Sequence, residues 1–214
     1  MSERHTSAIP SRKCGIVVLS YNSKGPLYQC LASVFRQTCE DKLVIVVDNS
    51  SDDDTPKMVR EFFPDAILIE NGQNTGTAAT NLGVKLAISR MCEYIMLVDS
   101  DAVMDDHVAS TLVEFLEKHP DVGIAGPSLY EIGGMNSAPV VRINPESGLL
   151  RIETFVNRAS ETDCIGMAMI RKDVFDRIGL IDPVYFAYYQ DTDFSLRARR
   201  VGYKVFILPE AKCH

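Results

Sequence analysis

Apolar and polar positions fall into alternating blocks along this chain. The run GIVVLS at 15–20 is short, continuous and rich in β-branched residues, as expected of a strand buried on both faces. The pattern recurs in LVIVVDNS at 43–50, whose apolar part ends in Asp48, and in AILIE at 66–70. It returns in YIMLVDSDA at 94–102, whose apolar part ends in Asp99, and in VGIAGP at 122–127. Between these runs the spacing turns helical. Leu27, Cys30, Leu31, Val34 and Phe35 mark one helix; Met58, Val59, Phe62 and Phe63 mark a second, stopped by Pro64. A third starts near Ala78 and carries Leu82, Leu86 and the run from Ile88 to Met91. A fourth starts near Asp105 or Asp106, either of which can cap it, buries Val108, Leu112, Phe115 and Leu116, and ends at His119–Pro120. Strand and helix in regular succession predict an α/β fold: a mostly parallel central sheet with helices on both faces.

After residue 127 the rhythm breaks. Residues 128–160 read as an insertion across the ends of the strands. Its paired Gly133 and Gly134 suit either a lid or a plain loop, and VVRINPESGLLRIETF at 140–155 predicts a hairpin around a turn at 145–148. CIGMAMI at 164–170 is strand-like, and KDVFDRIGLID at 172–182 holds a short helix closed near Gly179. YYQDTDFSLRARRVGY at 188–203 opens with acids and continues as an amphipathic helix stopped by Gly202. Phe194, Leu196, Ala198 and Val201 form its apolar side, with Arg197, Arg199 and Arg200 expected toward solvent or a ligand. KVFIL at 204–208 returns to a sheet.

Composition narrows this picture. A chain of 214 residues, 46% hydrophobic and without internal repeat or linker, is expected to form one domain over 1–214. No run of 18 apolar residues is present, so no transmembrane segment is expected, and the polar start MSERHTSAIPSRK does not read as a signal peptide. Six scattered cysteines without a CxxC pair predict reduced thiols and a cytoplasmic chain, free or peripheral to a membrane. A net charge of −7 argues against nucleic acid as a partner, though it leaves room for a phosphorylated ligand beside a metal ion.

Candidate chemistry gathers where the strands end. In an open parallel sheet, ligands bind beyond the carboxyl ends of the strands. Ser20, Tyr21 and Asn22 follow the first strand, Asp48 ends the second, and Asp99-Ser100-Asp101 ends the fourth. Asp48 and Asn22 serve equally well as turn residues or ligand contacts. Two carboxylates one residue apart can share a divalent cation, which in turn holds a diphosphate; the same pair also makes an ordinary strand-end turn. Asp191 and Asp193 open the last helix, either as charges favourable to a helix N-terminus or, for Asp191, as a general base. His214, alone at the end of the sequence, is uninformative by itself.

The ordered segments carry a resemblance. VVLSYNS at 17–23, VIVVDNSSDDDT at 44–55, NGQNTGTAATNLGVKLA at 71–87, YIMLVDSDAVM at 94–104 and the stretch from Asp163 to Ala211 resemble, in order, the inverting family 2 glycosyltransferases of the GT-A fold. The resemblance is strongest to their rhamnosyltransferase-like branch. It implies a nucleotide-binding half at about 14–127 and an acceptor-side half at about 128–214. It sets Ser20, Tyr21 and Asn22 in a nucleotide pocket, Asp48 near the base or ribose, and Asn74, Gly76 and Asn81 beside nucleotide and sugar. Asp99 and Asp101 match its metal-and-diphosphate motif, with Mg²⁺ or Mn²⁺ as cofactor and His214 completing the site. Asp191 matches its catalytic base.

The partners so implied are a nucleoside-diphosphate sugar donor and an acceptor that is a glycan, a lipid-linked glycan, a peptide or a small molecule. Two departures stand out: Ala102 follows the acidic triplet where relatives carry Thr, and Gln190 stands where a glutamate commonly precedes the base. Two rival readings remain at this point. A nucleotidyltransferase would want a basic, glycine-rich loop after the first strand, of which LSYNSKGP is a poor version. A catalytically silent sugar-nucleotide-binding module would not need Asp99, Asp101 and Asp191.

Overall fold

A computed structural model describes residues 14–39, 41–130, 136–137, 139–144 and 146–214. The polar leader, Gly133 and Gly134, and Pro145 of the hairpin turn lie outside the described residues. The first half follows the predicted rhythm: β1 (Cys14–Ser20), α1 (Lys24–Arg36), β2 (Lys42–Asp48), α2 (Thr55–Phe62), β3 (Ile67–Glu70), a 3-10 turn (Gly76–Ala79), α3 (Thr80–Ser89), β4 (Tyr94–Asp99), α4 (Val108–Lys118) and β5 (Val122–Tyr130). The second half contributes β6 (Asn136–Ser137), β7 (Pro139–Ile143), β8 (Leu150–Phe155), β9 (Ser160–Glu161), β10 (Ala168–Arg171), α5 (Lys172–Ile178), α6 (Gln190–Arg200) and β11 (Lys204–Cys213).

One sheet draws strands from both halves, in the order β3-β2-β1-β4-β10-β5-β11-β9, with β6 added beside β5. Pairing is parallel for β3–β2, β2–β1, β1–β4 and β5–β11. β10 is antiparallel to both of its neighbours. An antiparallel strand needs no crossover helix. The chain leaves β5 at the carboxyl edge of the sheet, builds the β7–β8 hairpin, and re-enters the sheet downward as β10. This is the reason CIGMAMI is only partly a strand: Cys164 to Met167 run across the strand ends before pairing begins at Ala168.

Side-chain alternation divides the core between two faces. Ile16, Val18, Val46 and Met96 point to the face covered by α1, α2 and α4. Val17, Ile45, Val47 and Ile95 point to the face covered by α3, α5 and α6. All six cysteines are free thiols and five are buried, packing as small hydrophobes.

Two local expectations are corrected. Neither Asp105 nor Asp106 caps α4, whose N-cap is His107 with no side-chain cap bond. The Asp106 carboxylate instead pairs with Arg36 at 3.1 Å, and Asp105 lies 3.5 Å from His214. Arg197 and Arg199 do not face outward to a ligand. Arg197 donates to Asp193, Ile178 O and Leu180 O, and Arg199 to Glu161 and Thr162 O. Carbonyls left open by the short elements α5 and β9 recruit these guanidinium groups. Among the described residues, no helix is long and apolar enough to cross a membrane.

Gly83 lets α3 approach the sheet closely: a Cβ there would lie 2.4 Å from Val17 Cγ1 and 3.1 Å from Val47 Cγ2. Gly83→Ala should therefore destabilise by about 1–2 kcal/mol through overpacking, although alanine is the better helix former. Thermal melting should show a lower Tm, by about 2–4 °C per kcal/mol in a protein of this size. A raised Tm would mean that α3 is free to draw back from β1.

Candidate active site

Register sets the site. Ser20 lies opposite Asp48, and Leu19 opposite Asp99, so three polar strand ends share one edge. Beyond this edge no strand continues, and side chains must satisfy the backbone of the loops. Asn49 does this at the centre. It is buried, and its amide nitrogen donates to Asn74 Oδ1 at 2.8 Å and to Gly76 O at 3.0 Å. Its amide oxygen accepts from Asn71 Nδ2 at 3.0 Å and from Thr75 N at 3.1 Å. Both N–H groups and both lone pairs are engaged. Asn49 is not marked by periodicity; its one signal in the sequence is a set of asparagines (49, 71, 74) after two strands with no apolar period.

Around this hub stand the residues assigned to the nucleotide. Asp48 is buried; its Oδ2 accepts from Ser51 N at 3.0 Å, while its Oδ1 has no partner. A buried carboxylate oxygen without a partner is costly and invites a ligand donor. Asn22, at φ 47°, accepts from Asp52 N through Oδ1 and donates its own N–H to Ser51 Oγ. Ser20 is buried, with its hydroxyl 2.8 Å from that of Ser23, whereas Tyr21 is exposed. Asn81 does not face Asn49: its amide donates to Ile181 O at 2.8 Å and accepts from Ile181 N at 3.1 Å.

Asp99 and Asp191 come from distant parts of the sequence and line one cavity of about 190 Å³, together with Thr77, Gly166, Gln190 and Phe194. Asp99 as a whole is exposed, yet it lines the cavity wall. Burial, then the charges of Asp101 and Asp191, push its carboxyl above the usual carboxylate range, and nothing among these causes opposes the shift. The neighbouring Cys30 and Cys213 thiols are pushed up to about 12, chiefly by burial, and stay neutral at pH 7. His214 is brought to the same corner by β11, exchanging backbone hydrogen bonds of 2.6 Å with Val103. Among the described residues, no three His, Cys, Asp or Glu side chains are grouped closely enough to hold a metal ion.

The two acids that open α6 have different surroundings. Asp193 is paired with Arg197 at 2.8 Å. Asp191 Oδ1 accepts from Thr192 N at 2.8 Å, and its Oδ2 lies opposite Gly166, where a Cβ would be 3.6 Å away. Gln190, beside it, holds its amide oxygen buried without a partner. The two residues before α6's first turn, Tyr188 and Tyr189, both adopt left-handed backbone at φ 65° and 63°. Such conformations cost about 1–3 kcal/mol each and persist only where surrounding contacts enforce them.

The family model of glycosyl transferase family 2 matches residues 15–179. The chain is 24% identical over 201 residues to the dTDP-rhamnosyl transferase RfbF of Shigella flexneri, covering 92% of this chain and 66% of that protein. It is 30% identical over 199 residues to the poly-beta-1,6-N-acetyl-D-glucosamine synthase of Staphylococcus epidermidis, covering 87% of this chain and 44% of that protein. Its fold is similar to that of GalNAc-T7 solved with UDP, GalNAc and Mn²⁺, at TM-score 0.78 and 14% identity, over 96% of this chain and 44% of the other. The chain thus spans about half to two thirds of the length of these curated relatives.

Asn49 tests the architecture of this edge directly. Asn49→Asp keeps the shape and the two accepted bonds but removes both donors. Asn74 Oδ1 and Gly76 O would then face a carboxylate. We expect a loss of about 2–4 kcal/mol in urea unfolding. A change within about 0.5 kcal/mol, the range of ordinary surface substitutions, would refute its role as the hub.

Proposed function

The chain belongs to glycosyl transferase family 2, and on that premise we propose that it transfers a sugar from a nucleoside-diphosphate sugar to an acceptor hydroxyl, inverting the anomeric centre, with Asp191 as general base. The observation that carries this reading is the convergence of Asp99 and Asp191 on one cavity at the carboxyl edge of the sheet. One carboxylate suits the diphosphate side and the other the acceptor side. The unpartnered Oδ1 of Asp48 suits a donor group on the base or ribose. Ser20, Tyr21 and Asn22, which follow β1, would line the nucleotide site. Asn74, Gly76 and Asn81 shape the loop between nucleotide and sugar.

The proposed reaction is a single displacement. The acceptor O–H gives its proton to Asp191 Oδ2 as the oxygen attacks the anomeric carbon. The bond from that carbon to the diphosphate oxygen breaks, and the nucleoside diphosphate leaves with the electron pair. Thr192 N, bound to Oδ1, holds the carboxylate in place during the transfer. Asp99 and Asp101, together with the substrate's own phosphates, would hold Mg²⁺ or Mn²⁺; His214, whose Nε2 lies 3.5 Å from Asp105, would have to turn to join them as a further donor. The fit rests on the pair of carboxylates: after burial, Asp101 is near enough for its charge to push the Asp99 carboxyl up. One or two carboxylates plus substrate phosphates are the usual holding of Mg²⁺. When bound, the ion supplies neutralisation of the charge that grows on the diphosphate.

The likeness to the rhamnosyl transferase makes dTDP-rhamnose the first donor to try. The acceptor belongs to a growing polysaccharide, a lipid-linked glycan, a peptide or a small metabolite. We place the reaction in the cytoplasm or at the membrane periphery.

Incubation with a panel of dTDP-, UDP- and GDP-sugars and Mn²⁺ should reveal hydrolysis or transfer from at least one donor; silence with all of them sinks the reading. Asp191→Asn should lower transfer by about 10²–10⁴-fold, the usual contribution of a general base. Calorimetry should find affinity for the nucleoside diphosphate within twofold of wild type. Loss of both together would count against Asp191 as base.

A further inference from the structure

The loop that leads into α6 is held from the donor side of the site. Thr77 N donates to Phe186 O at 2.8 Å, and Thr77 Oγ1 donates to Tyr185 O at 3.0 Å. Asn81 grips Ile181 through both ends of its carboxamide, at 2.8 and 3.1 Å. Gly76, at φ 64°, lies so close that a Cβ would be 2.0 Å from Phe186 O. On its other side this segment is fixed to Asn49, which receives Thr75 N and donates to Gly76 O. A continuous set of contacts thus runs from Asn49, next to Asp48, through residues 75–77 to 185–186.

Beyond 186 come the two left-handed tyrosines and then Gln190 and Asp191. Tyr188 and Tyr189 are 80% and 60% exposed, so side-chain packing does not account for their backbone conformation. The bonds to Tyr185 and Phe186 fix the chain immediately before the turn, and α6 fixes it immediately after. Between these two anchors lie the left-handed pair and then Asp191, which lines the cavity.

We propose that Thr77, with Gly76 and Asn81, is a positioning element for Asp191: it acts on transfer through the aim of that carboxylate and not through contact with the nucleotide. The proposal rests on the reading of Asp191 as general base. It assigns to the 3-10 turn a task separate from the nucleotide pocket whose wall it continues. Thr77 is the informative position because valine matches its shape while lacking the hydroxyl, and serine restores the hydroxyl.

The test is a double-mutant cycle in the full chain, using the sugar nucleotide that wild type turns over fastest and a radiolabelled sugar so that slow variants remain measurable. Thr77→Val should lower kcat by about 10-fold or more, with the affinity for the free nucleoside diphosphate within twofold and circular dichroism showing a folded protein. Thr77→Ser should recover kcat to within about threefold. In an Asp191→Asn background, Thr77→Val should cost less than about twofold, because groups acting through one residue are not additive. A Thr77→Val loss of the same factor in both backgrounds, or a matching loss of nucleotide affinity, overturns the positioning role while leaving the base assignment intact. Full transfer by Asp191→Asn alone removes the base assignment and this proposal with it. Gly76→Ala, whose Cβ would meet Phe186 O, should also lower kcat; an unchanged kcat there overturns the proposal.

Discussion

Backbone hydrogen bonds lock β1 between β2 and β4 over their whole lengths, placing Ser20 opposite Asp48 and Leu19 opposite Asp99. Apolar side chains on both faces seal this three-strand core, so a slip of register by one residue would turn each strand's two sides over into the wrong layers. Because the register cannot slip, the polar residues that end the strands stay at one level. The site follows from that level edge. Asp48 and Asp99 flank the end of β1, one on each side, although they lie 51 positions apart in the chain.

The loops beyond the edge face the opposite problem. They carry peptide groups with no strand to pair with, and they are short of apolar residues to bury. The structure answers with carboxamides. Asn49 completes its bonding inside the 71–76 loop, and Asn81 closes on Ile181 as one peptide group closes on another. The guanidinium groups of Arg197 and Arg199 do the same for carbonyls beneath α6. These polar anchors, rather than a larger core, hold the 71–77 loop and the segment before Asp191 in a fixed relation. Asp193 and Arg197, an i,i+4 pair in α6, belong to this supporting structure, which leaves Asp191 as the acid of that turn that faces the cavity.

The antiparallel entry of β10 is what brings the second half of the chain over the first. A parallel strand in that place would have required a crossover on a face of the sheet. Instead Ile165 to Met167 cross the strand ends and form one side of the cavity, with Gly166 opposite Asp191. The cavity is therefore a product of topology: its acids come from β4 and α6, and its wall from the segment between the β7–β8 hairpin and β10.

The apolar period alone determined the layered strand–helix order through β5, because a strand buried on both faces and a helix buried along one stripe leave different spacings that need no knowledge of neighbours. It also marked the acids at strand ends, and the ordered likeness of segments drew attention to Asp99, Asp101 and Asp191. It did not reveal that β10 runs antiparallel, since a short apolar run reads the same in either direction. Nor did it show that Asp105 and Asp106 leave α4 uncapped, or that Asn49, Thr77 and Asn81 are bound to segments 22 to more than 100 residues away. A carboxamide or hydroxyl has the same appearance in a sequence whether it meets solvent, a ligand or a distant peptide group. Only the folded chain selects its partner, because hydrogen bonds form within about 3 Å and depend on which segments the sheet has already brought together.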